Sequence, residues 1–169
     1  NASATKATPA ALTAKAIADQ LGALMRRLRK PRIAQVATEM AAFIKTAGPQ
    51  LPKAAEPLGT LEKASRLQLV EVVETLLAAG VDPNAFPTEG DRADSDPRAL
   101  GAVFEGDHDV ADDTVRALID ALIAAGASPD TLHPTDRVQM LNGRRQTALD
   151  LAVRRESKVG IAMIAKAAS

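Results

Sequence analysis

Two histidines, His108 and His133, are the only imidazoles in the chain, and neither stands in a His-x-x-x-His pair or beside a plausible nucleophile. Carboxylates are plentiful and clustered, in the stretch 86–97 (Glu89, Asp91, Asp94, Asp96) and in the stretch 106–113 (Asp107, Asp109, Asp112, Asp113). Such oxygens suit Ca²⁺, but neither stretch has EF-hand spacing, since a loop begun at Asp107 reaches Leu118 where the closing glutamate belongs. Solvated loops are the expectation there, and no metal is assigned. The chain has no cysteine, so disulfides and thiolate metal sites are excluded. No serine lies in a Gly-x-Ser-x-Gly turn, and no Gly-x-x-x-x-Gly-Lys-Ser/Thr loop is present to cradle nucleotide phosphates. Acid/base chemistry needs a desolvated cleft, which loop carboxylates alone do not imply. No catalytic residue and no cofactor is assigned, and the chain is read as a non-enzyme.

The other charged feature is the basic run Arg26, Arg27, Arg29, Lys30 and Arg32. Several cations near one helix end create a field that attracts polyanions. They also complement the dipole of a helix C-terminus and keep it solvated, which is the plainer reading. Nucleic acid is not expected as a partner: Phe43, Phe86 and Phe104 are the only aromatics, leaving little for bases to stack on. The formal charge of zero hides an asymmetry, with eight cations against two acids over residues 1–50 and ten acids against three arginines over residues 83–120.

The elements that position these groups read as helices. Alanine and leucine dominate the apolar half of the composition, and strand-forming aromatics are scarce. No run approaches the about 18 uninterrupted apolar residues of a membrane span, because Lys, Arg, Asp or Glu interrupts each stretch. Residues 1–11, small, polar and aperiodic, are expected to be a disordered lead or the remnant of a tag. From Leu12, the residues Ile17, Leu21, Leu24 and Leu28 mark one helical face ending near Arg29. Pro31 suits the first turn of a second helix, whose stripe is Ile33, Val36, Ala37, Met40, Ile44 and Ala47 before Gly48-Pro49 stops it. Residues 12–48 thus predict an antiparallel helical hairpin that caps the helices downstream.

Beyond the hairpin, Leu61 and Ala64 open a short helix, Val72, Val73, Leu76 and Leu77 line a longer one, and Gly80-Val81-Asp82-Pro83-Asn84 leaves it. The core Leu76-Leu77-Ala78-Ala79-Gly80 recurs as Leu122-Ile123-Ala124-Ala125-Gly126, followed by Ala127-Ser128-Pro129-Asp130. A third opening stands at Gly143-Arg144-Arg145-Gln146-Thr147-Ala148-Leu149-Asp150-Leu151-Ala152. These segments resemble ankyrin repeats, with Gly59 in place of the usual Thr and Glu62 in place of the usual His. Gly80 and Gly126 are 46 positions apart, where an ankyrin array repeats about every 33, so the loop and the internal turn between them are lengthened.

The resemblance implies an all-α fold of ankyrin-like stacked helix pairs over residues 58–169, as units 58–85, 97–130 and 143–169, with the N-terminal hairpin as cap. One elongated interior should then hold Leu61, Leu76, Leu100, Leu122 and Leu149. It also implies a scaffold, expected to be monomeric, that binds another protein through loop tips and the inner-helix face. On this chain those positions are Glu62, Phe86, Glu89, Asp91, Arg92, Asp94, Arg98, His133, Asp136, Arg137, Arg144 and Arg145. Phe86 is either an apolar anchor within a charged rim or a pin that folds its loop back. The alternative function is a polyanion-binding accessory domain using the basic hairpin. The chain reads as soluble, with its location, cytoplasmic or as a secreted effector, left open.

Overall fold

The computed structural model describes residues 11–89, 98–106, 111–129, 140–141, 144–145 and 147–169. The expected lead, most of the two acidic stretches and most of the loop before residue 147 therefore lie outside the described residues. The fold is all-α: α1 (Ala14–Arg27), α2 (Ile33–Thr46), α3 (Leu51–Leu58), α4 (Thr60–Arg66), α5 (Val70–Ala78), α6 (Ala99–Ala102), α7 (Asp112–Ala124), α8 (Ala148–Arg154) and α9 (Lys158–Ala168). A two-residue antiparallel ladder, β1 (Met140–Leu141) with β2 (Arg144–Arg145), sets Met140 opposite Arg145.

Helices this short are marginal on their own, so packing must hold them. α4 packs on α5 and on α6, and α6 on α8; α5 packs on α7, and α7 on α9. One continuous apolar cluster runs from Ile17 to Ile164 and includes Leu61, Leu76, Leu100 and Leu122. Leu149 is only partly buried against it, while Ala148, Leu151 and Ala152 point inward.

Helix ends repeat the same hydrogen bonds. At the end of α5, Gly80 and Val81 donate to Leu77 O and Leu76 O (3.0 and 3.2 Å), and at the end of α7, Gly126 and Ala127 donate to Ile123 O and Leu122 O (3.0 and 2.9 Å). Both glycines are left-handed, with φ of +93° and +97°, the conformation that lets the otherwise orphaned last carbonyls find donors. α4 and α8 close similarly, with Leu69 N bonded to Ala64 O and Ser157 N to Ala152 O (2.9 and 3.0 Å). There the left-handed positions fall on Gln68 and Glu156 (φ +61° and +55°), residues that tolerate it less well than glycine. Thr147 and Asp150 form a reciprocal capping box at the start of α8.

Three local expectations are corrected. Residues 51–58, passed over between hairpin and first repeat, form α3: Pro52 sits in its first turn, where a missing N–H costs no bond, and Pro57 in its last. α1 packs chiefly on α3 and α2 on α5, with a smaller contact between α1 and α2 themselves. Pro31 lies in the turn before α2, after a cis Lys30-Pro31 bond, because the helix begins only at Ile33. Asp112 and Asp113 belong to the first turn of α7 rather than to a loop, where their charge complements the helix dipole.

Candidate partner-binding surface

Four of the twelve sequence-derived positions, Glu62, Phe86, Glu89 and Arg98, lie around the junction of α3, α4 and the start of α6. Beyond α5 the chain folds back so that the Thr88 and Glu89 N–H groups both donate to Pro57 O (2.9 and 3.0 Å), a carbonyl in the last turn of α3. Pro87 is thereby pressed onto Gly59, where a Cβ would sit 2.9 Å from Pro87 Cγ. Gly59 has φ +66° and separates α3 from α4. The close approach would force Pro87 to shift for any Cβ, and the left-handed backbone adds strain for a side chain there.

Next to that clip, the Arg98 guanidinium lies 3.7 Å from the centre of the Phe86 ring, a cation–π contact. Burial pulls the Arg98 pKa down, and the carboxylates of Asp82 and Glu62 act in the opposite direction. Its Nε is buried with no hydrogen-bond partner. Phe86 is half-buried beneath this cation, which is the geometry of a pin for the loop.

Glu62 requires a correction: it was expected on the exposed inner-helix face and is only 2 % exposed. A carboxylate at that depth needs compensation, and the Arg98 charge lies within its electrostatic reach. A partner would meet Arg98 and Phe86 before Glu62. Glu89 is exposed beside them. Asp91, Arg92, Asp94, His133, Asp136 and Arg137 lie outside the described residues, and Arg144 and Arg145 are described only as backbone in β2. Glu62, Phe86, Glu89 and Arg98 are thus gathered around one junction.

Sequence reasoning missed the group that joins two loop bases. Asn84 Nδ2 donates to Gly126 O at 2.9 Å, and its Oδ1 accepts from Ser128 N at 2.8 Å. Its own N–H donates to Asp82 Oδ1 at 2.9 Å, and Asp82 N donates to Glu56 Oε1 at 2.9 Å. The signal was present in the shared Asp-Pro-Asn and Ser-Pro-Asp endings, but nothing local says that one ending grips the other.

At the basic turn, Arg26, Arg27, Arg29, Lys30 and Arg32 are all exposed. Arg27 makes a two-pronged bond with Glu39 (2.8 and 3.2 Å), which raises its pKa first by the hydrogen bond and then by the charge. Lys63, also missed, lies partly buried in the last turn of α4, its pKa lowered first by burial and then by the cations Arg66 and Arg29.

Among the described residues, no group of three or more His, Asp or Glu is placed to hold a metal ion, and no helix is long and apolar enough to cross a membrane. Compared with family models, with curated proteins and with solved structures, the chain matches none.

Proposed function

We propose that the chain is an ankyrin-like array of stacked helix pairs that binds another protein and catalyses no reaction. The observation that carries this reading is the bridge from Asn84 to Gly126 and Ser128, two loop bases joined in register at the ends of two similarly terminated helices. In a stacked array each unit has an apolar face too large to leave wet, so neighbours fix one another and polar tips stay free. The partner surface is centred on Phe86 and Arg98, with Glu89 on its rim. Its test is a pull-down from the native source, repeated with Phe86→Ala and Arg92→Ala. Loss of one captured protein from both folded variants is the expected result. Recovery of only a small metabolite or a turnover product would remove the reading.

A second reading rests on a separate observation: Arg26, Arg29, Lys30 and Arg32 are exposed, and none of them forms an ion pair among the described residues. It makes the basic turn a contact for a polyanion. Retention on heparin at moderate salt, lost in Arg26→Glu/Lys30→Glu, would support it; retention unchanged in that variant would refute it.

A further inference from the structure

At the end of α4 and α6 away from Phe86 and Arg98, an open cavity of about 420 Å³ is lined by Phe104, Glu105, Leu151, Arg154 and Arg155. Phe104 and Leu151 are buried and form its apolar floor. Glu105 is already engaged: its Oε2 lies 3.4 Å from Arg66 Nε, and both side chains of this pair are largely withdrawn from solvent. Arg154 and Arg155 are exposed, and neither forms an ion pair among the described residues.

Arginines at the end of a helix ordinarily complement its dipole and its last carbonyls. Here backbone and amide donors already answer most of those carbonyls. In α8, Leu151 O, Ala152 O and Val153 O accept from Arg155 N, Ser157 N and Glu156 N at 3.1, 3.0 and 2.9 Å. At the end of α6, Gly101 O and Ala102 O accept from Phe104 N and Glu105 N, both at 3.1 Å, and Val103 O accepts from Gln68 Nε2 at 3.3 Å. The two guanidinium groups are therefore left to the cavity that both of them line. Successive helical residues project roughly 100° apart, so Arg154 and Arg155 reach it from different directions. With Glu105 matched by Arg66, both of these cations are in excess. Two separated guanidinium forks suit two carboxylates rather than one compact anion, and the apolar floor suits the methylenes that join them. The volume lies near the low end of the about 300–1,000 Å³ usual for small-ligand sites, which fits a short ligand. We propose that this cavity binds a pair of carboxylates joined by a short aliphatic spacer, with Arg154 and Arg155 each holding one. A free dicarboxylic acid or neighbouring acidic side chains of a peptide would present that chemistry. The site is independent of both readings above.

The probes are glutarate and a blocked diglutamate peptide, each titrated into the full chain at low ionic strength and followed by backbone amide NMR and calorimetry. Saturable binding is expected, with shifts centred on residues 104–105 and 151–156. Arg154→Gln/Arg155→Gln should weaken it at least tenfold, and Lys166→Gln on α9 less than twofold. Both arginines are exposed, so the double variant should keep the wild-type Tm within a few degrees. Arg154→Lys/Arg155→Lys, which keeps the charge and loses the forks, should bind with intermediate affinity. Valerate, with the carbon count of glutarate and one carboxylate, and the blocked diglutamine peptide should bind at least fivefold more weakly than their acidic counterparts. Tighter binding of the peptide assigns the acidic-peptide source, and tighter binding of glutarate the free acid. The proposal is overturned if neither probe saturates below about 10 mM, if the glutamine double variant binds within twofold of the wild type, or if valerate binds as tightly as glutarate.

Discussion

The side-chain oxygen of Asn84 accepts the Ser128 N–H at 2.8 Å, across a sequence gap of 44 residues. The same carboxamide donates to Gly126 O at 2.9 Å, so one side chain satisfies a donor and an acceptor of the next loop base. Asn84→Ala leaves both backbone groups to water or unpaired, and a loss of about 1–2 kcal/mol in urea unfolding is expected. Asn84→Asp keeps the acceptor but sets a carboxylate against the Gly126 carbonyl. It should be destabilised as well, with faster amide exchange at Gly126 and Ser128 in both variants.

Glycines divide by mechanism. At Gly160 a Cβ would lie 2.5 Å from Phe104 Cε1 and 2.6 Å from Cζ, so Gly160→Ala must displace a buried ring. A loss of about 1–3 kcal/mol is expected from overpacking of this kind. At Gly126 nothing lies within 4 Å, and the cost of alanine is conformational only, set by φ +97°, at about 1 kcal/mol. Paired denaturation curves should show a larger loss for Gly160→Ala, with the added Phe104→Leu change restoring part of it and leaving Gly126→Ala unaffected.

Glu156 holds φ +55° at the end of α8 and its side chain is exposed. Glu156→Gly relieves the left-handed strain at some entropic expense in the unfolded chain, for a net gain of about 0.5–1 kcal/mol. A lower urea midpoint for this variant would contradict the assignment of the turn.

Phe86→Ala removes the ring beneath Arg98 and should loosen the bonds from Thr88 and Glu89 to Pro57. A loss of about 1–2 kcal/mol is expected for a half-buried ring with a cation–π contact. Amide exchange at 88 and 89 should accelerate. If stability and exchange stay unchanged while partner binding falls, Phe86 is an anchor rather than a pin.

Lys63 gives a pH signature. Its folded pKa is lowered, so the unfolded chain binds more protons in the window between the folded and the ordinary lysine value, and stability rises with pH there. The disadvantage of the charged lysine is complete below its folded pKa and fades as the pH approaches the ordinary value. The stability advantage of Lys63→Met should accordingly shrink as the pH is raised through the alkaline range. An advantage that stays constant or widens would mean that burial does not penalise the ammonium.

How much of the molecule was legible in the sequence depends on whether the cause was local. The stripe through Ile17 and Leu21, the core residues Leu76 and Leu122, and the left-handed glycines at 80 and 126 are dictated by periodicity and by what a helix end requires. The helix α3 was not read because its eight residues, with prolines at 52 and 57, are too few to show a clear helical period. Glu62 looked like a surface residue because its surroundings, the Arg98 charge among them, arrive from far along the chain. Lys63 looked ordinary for the same reason, since its neighbour Arg29 comes from the α1–α2 turn. Of the gathered site, the identities of Phe86 and Arg98 were readable, but not that one lies over the other.

The terminal helix α9 leans chiefly on α7 and α8. In the stacked array proposed above, cohesion is transmitted from neighbour to neighbour, so damage is not shared equally. Pulled from its last residue, the chain should shed α9 and α8 first, while the segment fastened by Asn84 still holds. Its weakest link is then a movable boundary, open to repair or reinforcement from the end.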